Sequence, residues 1–122
     1  MASILLVEDD DQLRTMLKLL LISSGYEVGE ASNGTRVCDM YQQQRFDLVI
    51  TDLVMPEIEG LEVIMELRRK DQNVRIIAMS GGGQGGPEKY LRIAQKLGAK
   101  LILSKPFGNQ EFLDAVRRVL DT

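Results

Sequence analysis

The chain reads as an α/β domain built on a doubly wound, five-stranded parallel sheet with five helices. Three observations point there. Five short apolar runs alternate with five helix-period patterns along the 122 residues, as in a parallel sheet whose strands are joined by crossover helices. The runs Ile4-Leu5-Leu6-Val7 and Leu48-Val49-Ile50 are apolar at every position, which suits strands covered on both faces. Glycine or proline marks most of the joints, at Gly25, Gly34, Pro56, Pro87, Gly98 and Pro106.

In chain order, the first strand is Ile4–Val7, followed by a helix from about Asp10 to Ser23. Leu13, Met16, Leu17 and Leu20 recur in it at helical spacing, and Gly25 stops it. The second strand, Tyr26–Ala31, is more polar, as an edge strand should be. Asn33-Gly34 opens a second helix with an inner face of Val37, Met40 and Tyr41. The third strand runs through Leu48, Val49 and Ile50 to Thr51. It delivers Asp52 to its lip and must stop before Pro56, which has no N–H for a central ladder. A third helix spans roughly Leu61–Lys70, with Leu61, Ile64 and Leu67 on one stripe. The fourth strand, Val74–Met79, ends at Ser80, and the glycine-rich Gly81–Gly86 leads to a helix with Pro87 in its first turn and Leu91, Ala94 and Leu97 inward. Gly98 caps that helix. The fifth strand, Lys100–Ser104, ends at Lys105-Pro106, and the last helix, with Asn109 as a cap, packs Phe112, Val116 and Val119.

Bulk properties narrow the function. Residues 1–122 suit a single domain, and 44% apolar with 27% charged residues is ordinary for a globular protein. The chain stops soon after its last helix, so any output domain is expected to be absent or cut away. A net charge of −3 gives no sign of direct nucleic-acid binding. Met1-Ala2-Ser3 leads into an apolar run too short to cross a bilayer, with no signal peptide, and the single Cys38 fits a reducing cytoplasm. With no histidine, His-ligated metals and both Ser-His-Asp and Cys-His catalysis are excluded.

Parallel strands in such a sheet all end on one side, where ligands bind. Glu8 and Asp9 leave the first strand there, Asp52 the third, Ser80 the fourth and Lys105 the fifth. Each close carboxylate pair costs on the order of 4 kcal/mol at an effective dielectric near 20, so a cation is expected among them. Few hard oxygen ligands, completed by water, suit Mg²⁺. Asp9 and Asp52 would bind it directly, Glu8 directly or through water, and the Val54 backbone carbonyl would add a ligand. With Lys105 and Ser80 addressing phosphoryl oxygens, the set suits phosphoryl transfer to Asp52. The added charge would pull on Ser80 and Lys105, as in a switch.

Simpler readings compete at each position. Asp10 and Asp11 suit the start of any helix. Lys105 alone is a solvated surface lysine, and Ser80 alone is unremarkable. Gly81, Gly83 and Gly86 spell G-x-G-x-x-G, but after the fourth strand and without a later acid this is a poor dinucleotide fingerprint. Pro87-Glu88 also rules out a Walker A loop.

The motifs Leu5-Leu6-Val7-Glu8-Asp9-Asp10, Asp47-Leu48-Val49-Ile50-Thr51-Asp52-Leu53-Val54-Met55-Pro56, Gly60, Ser80-Gly81 and Lys105-Pro106-Phe107 stand in an order that resembles the receiver domain of two-component response regulators. The resemblance runs from Ile4 to about Leu120. It implies a flavodoxin-like sheet of order 2-1-3-4-5, Asp52 as phosphoacceptor from a sensor histidine kinase or histidine phosphotransfer protein, Mg²⁺ at Glu8, Asp9 and Asp52, and Lys105, Ser80 and Gly81 around the phosphoryl group. Pro106 is implied to follow a cis bond. The fourth helix, fifth strand and fifth helix would form a dimer or output face, on which Lys89, Arg92, Lys96 and Lys100 make a basic patch. Ile102 stands where the family usually has an aromatic switch residue, so the relay is expected to differ. Val54 and Gly82 lack the polar side chains that would orient a hydrolytic water, which predicts slow self-dephosphorylation, and the glycine loop is expected to order on phosphorylation. Two other classes compete with the switch: a receiver-like interaction module that no longer accepts phosphate, and a Mg²⁺-dependent phosphatase, for which Val54 replaces the usual second Asp.

Overall fold

Runs that are apolar at every position have no polar face to turn to water, and they occupy the interior of the sheet. The computed structural model describes residues 1–53, 60–81 and 87–121, without the side chains of residues 87–91. Its elements are β1 (Ser3–Val7), α1 (Asp11–Ser23), β2 (Glu27–Ala31), α2 (Val37–Gln43), β3 (Leu48–Asp52), α3 (Gly60–Lys70), β4 (Ile76–Ser80), α4 (Pro87–Lys96), β5 (Leu101–Ser104) and α5 (Asn109–Leu120). The strands form one parallel sheet in the order β2-β1-β3-β4-β5. This is the five-stranded, five-helix arrangement that the alternating pattern and the resemblance predict.

Because successive strand residues point to opposite faces, the continuous apolar runs feed two cores. Leu5, Val7, Val49, Ile76 and Ala78 pack with residues of α2, α3 and α4. Ile4, Leu6, Leu48, Ile50, Ile77 and Met79 pack with Leu17 and Leu21 of α1 and with Phe112, Val116 and Val119 of α5. Burying a Leu, Ile or Phe side chain is favourable by about 1.5–3 kcal/mol. β1, β3 and β4 are buried along their whole length, so their ends are held rigidly. Among the described residues, no helix is long and apolar enough to cross a membrane.

Several element details differ from the sequence expectation. In α1 the buried pair is Leu17 and Leu21, with Leu13 and Leu20 partly buried, while Met16 is 43% exposed. Asp10 lies just outside this helix as its N-cap, accepting from the N–H groups of Gln12 (3.0 Å) and Leu13 (3.1 Å). α2 begins at Val37, because the Asn33 side chain accepts from the Thr35 N–H at 2.9 Å and hydroxyl at 2.6 Å, closing a local turn ahead of the helix. Val74 donates to the Asp71 carbonyl at 3.2 Å in a turn, so β4 starts at Ile76. Leu61 is only partly buried. Asn109 is the first residue of α5 rather than its cap; extended Gly108 holds that place without a side-chain bond. Gly25 (φ 93) and Gly98 (φ 108) adopt the left-handed conformation expected past helix ends.

Gly60 starts α3 directly behind the end of β3. A Cβ there would lie 2.1 Å from the Asp52 carbonyl oxygen and 2.6 Å from Leu53 Cα. Gly60→Ala should therefore lower unfolding free energy by about 3 kcal/mol in urea titrations, since backbone must move. At Gly108 nothing lies within 4 Å of the corresponding point, and Gly108→Ala should stay within about 1 kcal/mol of wild type.

Candidate functional site

β1 and β3 are neighbours, and both end at the same edge of the sheet. The N–H of Glu8 still joins the ladder, donating to the Ala31 carbonyl at 3.0 Å, and the residue is fully buried. Asp9 follows on the exposed side, and Asp52 closes β3 at 5% exposure. One carboxylate oxygen from each of Glu8, Asp9 and Asp52 lies within 4.8 Å of the others. Three hard, anionic oxygen donors this close fit a divalent cation such as Mg²⁺.

Lys105 enters this cluster from beyond β5. Its backbone N–H donates to the Ser80 carbonyl at 2.8 Å, which fixes its start. Its Nζ then reaches Glu8 Oε1 at 2.7 Å and Asp52 Oδ2 at 3.3 Å. Burial pushes Glu8 up to about 7, helped by the charge of Asp52 and opposed by hydrogen bonds from Lys105 and the Asp10 N–H. Burial works against the charge of Lys105, but Glu8 and Asp52 hold its proton above the ordinary range. The ammonium thus partly offsets a cluster with more acid than base.

The remaining predicted residues are placed unequally. Ser80 is 1% exposed, and its Oγ has no hydrogen-bond partner among the described residues. Gly81 lies against the stem of Lys105, where a Cβ would come within 2.4 Å of Lys105 Cβ. Any larger residue would displace the lysine from the acids. The Lys105–Pro106 bond is cis. Pro106 and Phe107 join Leu13, Met16, Gly81 and Lys105 around an apolar cleft of about 530 Å³. Ile102 lies elsewhere, opposite Ala78 on edge strand β5, where it lines a groove with Glu111, Asp114 and Arg118. Val54, Gly82 with the rest of residues 82–86, and the side chains of Lys89 and Leu91 lie outside the described residues, along with the expectations attached to them.

One residue that the sequence reading passed over touches the site. Arg14 donates to the Glu8 carbonyl at 2.8 Å. Its spacing from Asp11 was visible, but an i,i+3 acid–base pair ordinarily marks only a solvated helix face.

The arrangement combines a nearly buried carboxylate with an ammonium, an acidic cluster able to bind metal and a buried hydroxyl, the groups that phosphoryl transfer to an acid calls for. Known proteins match the chain in sequence and in fold. Residues 4–117 match the response regulator receiver domain. Chemotaxis protein CheY of Thermotoga maritima is 37% identical over 117 residues, covering 95% of each chain. The crystal structure of response regulator protein TrrA from Thermotoga maritima, in complex with Mg²⁺-BeF, superposes with a TM-score of 0.85 at 31% identity, covering 98% of this chain and 99% of that one. A CheY-like receiver domain protein from Methanospirillum hungatei superposes with a TM-score of 0.91 at 23% identity, over 99% of this chain and 94% of that one, a likeness of fold.

Two stability predictions follow from the buried groups. The folded-state value of Glu8, about 7, lies above the ordinary 4.5, so between them the folded chain keeps a proton that the unfolded chain has lost. The stability this provides is full below the lower value and disappears as pH rises through the upper one. Without divalent cations, urea midpoints should fall from about pH 5 to about pH 7.5, and Glu8→Gln should flatten that slope. Ser80→Ala removes a buried hydroxyl with no partner among the described residues, and should leave urea stability unchanged or raise it by about 1 kcal/mol.

Proposed function

Because the chain belongs to the response regulator receiver family, a family of signalling switches rather than turnover enzymes, we propose that Asp52 is the phosphoacceptor of a two-component phosphorelay. The observation that carries this reading is the Lys105 ammonium lying between two buried carboxylates, 2.7 Å from Glu8 and 3.3 Å from Asp52, beside Asp9. A lone surface carboxylate would need no such company.

In the proposed step, an Asp52 carboxylate oxygen attacks the phosphorus of a phosphohistidine on a sensor histidine kinase or histidine phosphotransfer protein. The new O–P bond forms as the P–N bond breaks, and the departing imidazole keeps the electron pair. Glu8, Asp9 and Asp52 would hold Mg²⁺, which when bound supplies positive charge to the phosphoryl oxygens; Mg²⁺-BeF in the TrrA crystal structure supports that choice of metal. Lys105 provides a further positive charge. Ser80, whose Oγ lacks a partner among the described residues, donates a hydrogen bond to a phosphoryl oxygen, with Gly81 giving close backbone approach. The output face is read as α4, β5 and α5, where Arg92, Lys96 and Lys100 are exposed and Ile102 lines the groove beside α5. Residues 1–122 act in this reading as one cytoplasmic receiver domain, and neither nucleic acid nor membrane is a direct partner.

The test is incubation with Mg²⁺ and acetyl phosphate, followed by intact-mass measurement of wild type and Asp52→Asn. The expected result is a phosphoryl-sized gain in wild type alone. No gain in either would favour an interaction module that no longer accepts phosphate, and an equal gain in both would move the acceptor away from Asp52.

A further inference from the structure

We propose that Arg14 is a positioning residue for the acidic cluster: it holds the turn after β1 in the shape that presents Glu8 and Asp9 together to a divalent cation. The proposal rests on reading Glu8, Asp9 and Asp52 as the metal ligands.

The turn from β1 to the cap of α1 is only Glu8 and Asp9, so the position of both acids depends on what fixes its two ends. On the far side, Asp10 is fixed by its cap bonds to Gln12 and Leu13. On the near side, the Glu8 N–H is fixed by Ala31, but its carbonyl has left the strand pairing and lies in a fully buried residue. A buried carbonyl without a partner costs about 1–3 kcal/mol. Arg14 supplies the partner at 2.8 Å.

The same guanidinium reaches two other elements. It pairs with Asp11 in the first turn of α1 at 2.7 Å and with Glu30 on β2 at 3.4 Å, and Lys18 holds the other Glu30 oxygen at 2.8 Å. Its own side chain is only 16% exposed, while its partners are more open to water, Glu30 at 33% and Asp11 at 84%. One planar group with several fixed donors thus ties the acid-bearing turn to a helix and a strand. Lysine, with a single compact charge at the end of a flexible stem, cannot bridge all three.

The sign of the effect separates positioning from simple electrostatics. A positive charge near the cluster disfavours a second cation, so charge alone predicts that removing Arg14 tightens Mg²⁺ binding, and that Arg14→Lys changes nothing. Positioning predicts the opposite in both variants, because groups that orient ligands typically carry about ten-fold or more in metal affinity.

The experiment is titration of ¹⁵N-labelled wild type, Arg14→Met and Arg14→Lys with Mg²⁺, following amide shifts, which also report whether each variant is folded. The expected result is weaker binding by about ten-fold in Arg14→Met and by about three-fold or more in Arg14→Lys, with native-like spectra. If Arg14→Met does not fold, the charge-conserving Arg14→Lys carries the test. Unchanged or tighter binding in the folded variants overturns the role of Arg14 alone. Wild type that takes up no Mg²⁺ overturns the metal reading, and the role of Arg14 with it.

Discussion

Everything at the carboxyl edge of this sheet is arranged around keeping three carboxylates together. Left to themselves, Glu8, Asp9 and Asp52 would repel one another, and burial, with the charge of Asp52 beside it, pushes Glu8 up to about 7. The Lys105 ammonium opposes that tendency without ending it. Much of the surrounding structure serves this one contact. The Ser80 carbonyl fixes the lysine backbone, Gly81 leaves room for its stem, and Gly60 lets α3 start against the backbone of Asp52. The two cores in turn hold β1, β3 and β4 so that the strand ends cannot drift apart to relieve the repulsion.

The site and its scaffold therefore make opposite demands on the chain. Packing favours the hydrocarbon that fills β1 and β3 up to their last residues. The positions at the ends of β1, β3 and β4 carry groups that packing alone would reject: an acid at full burial, a second acid, and a hydroxyl without a partner among the described residues. Such groups cluster at functional positions because the rest of the fold is stable enough to carry them.

Residues placed by backbone topology were legible in the sequence. Glu8, Asp9, Asp52, Ser80 and Lys105 each stand at the end of an apolar run, and a parallel sheet brings such ends together whatever the side chains do. Features that depend on side-chain reach were not legible. Arg14 reaches Glu8 back across the turn into α1 and Glu30 on β2, and nothing in its spacing from Asp11 says so. The inner face of α1 was ambiguous for another reason: Leu13, Met16, Leu17, Leu19, Leu20, Leu21 and Ile22 offer more apolar positions than one face can bury. The choice falls to Leu17 and Leu21 through packing against the sheet. Asn33 and Asn109 carried cap chemistry in the sequence, but one closes a turn instead and the other follows an already extended glycine.

The bond between Lys105 and Glu8 joins residues 97 apart in a chain of 122. Closing a loop of this length costs chain entropy, which the strands packed between the two residues must offset. During synthesis Glu8 and Asp9 precede Asp52, and Lys105 follows all three. Until β5 docks, the edge of the sheet holds repelling charges with no lysine between them. Assembly of the site thus requires the sheet to be completed through β5, and a chain without that strand has no Lys105 to place between the acids.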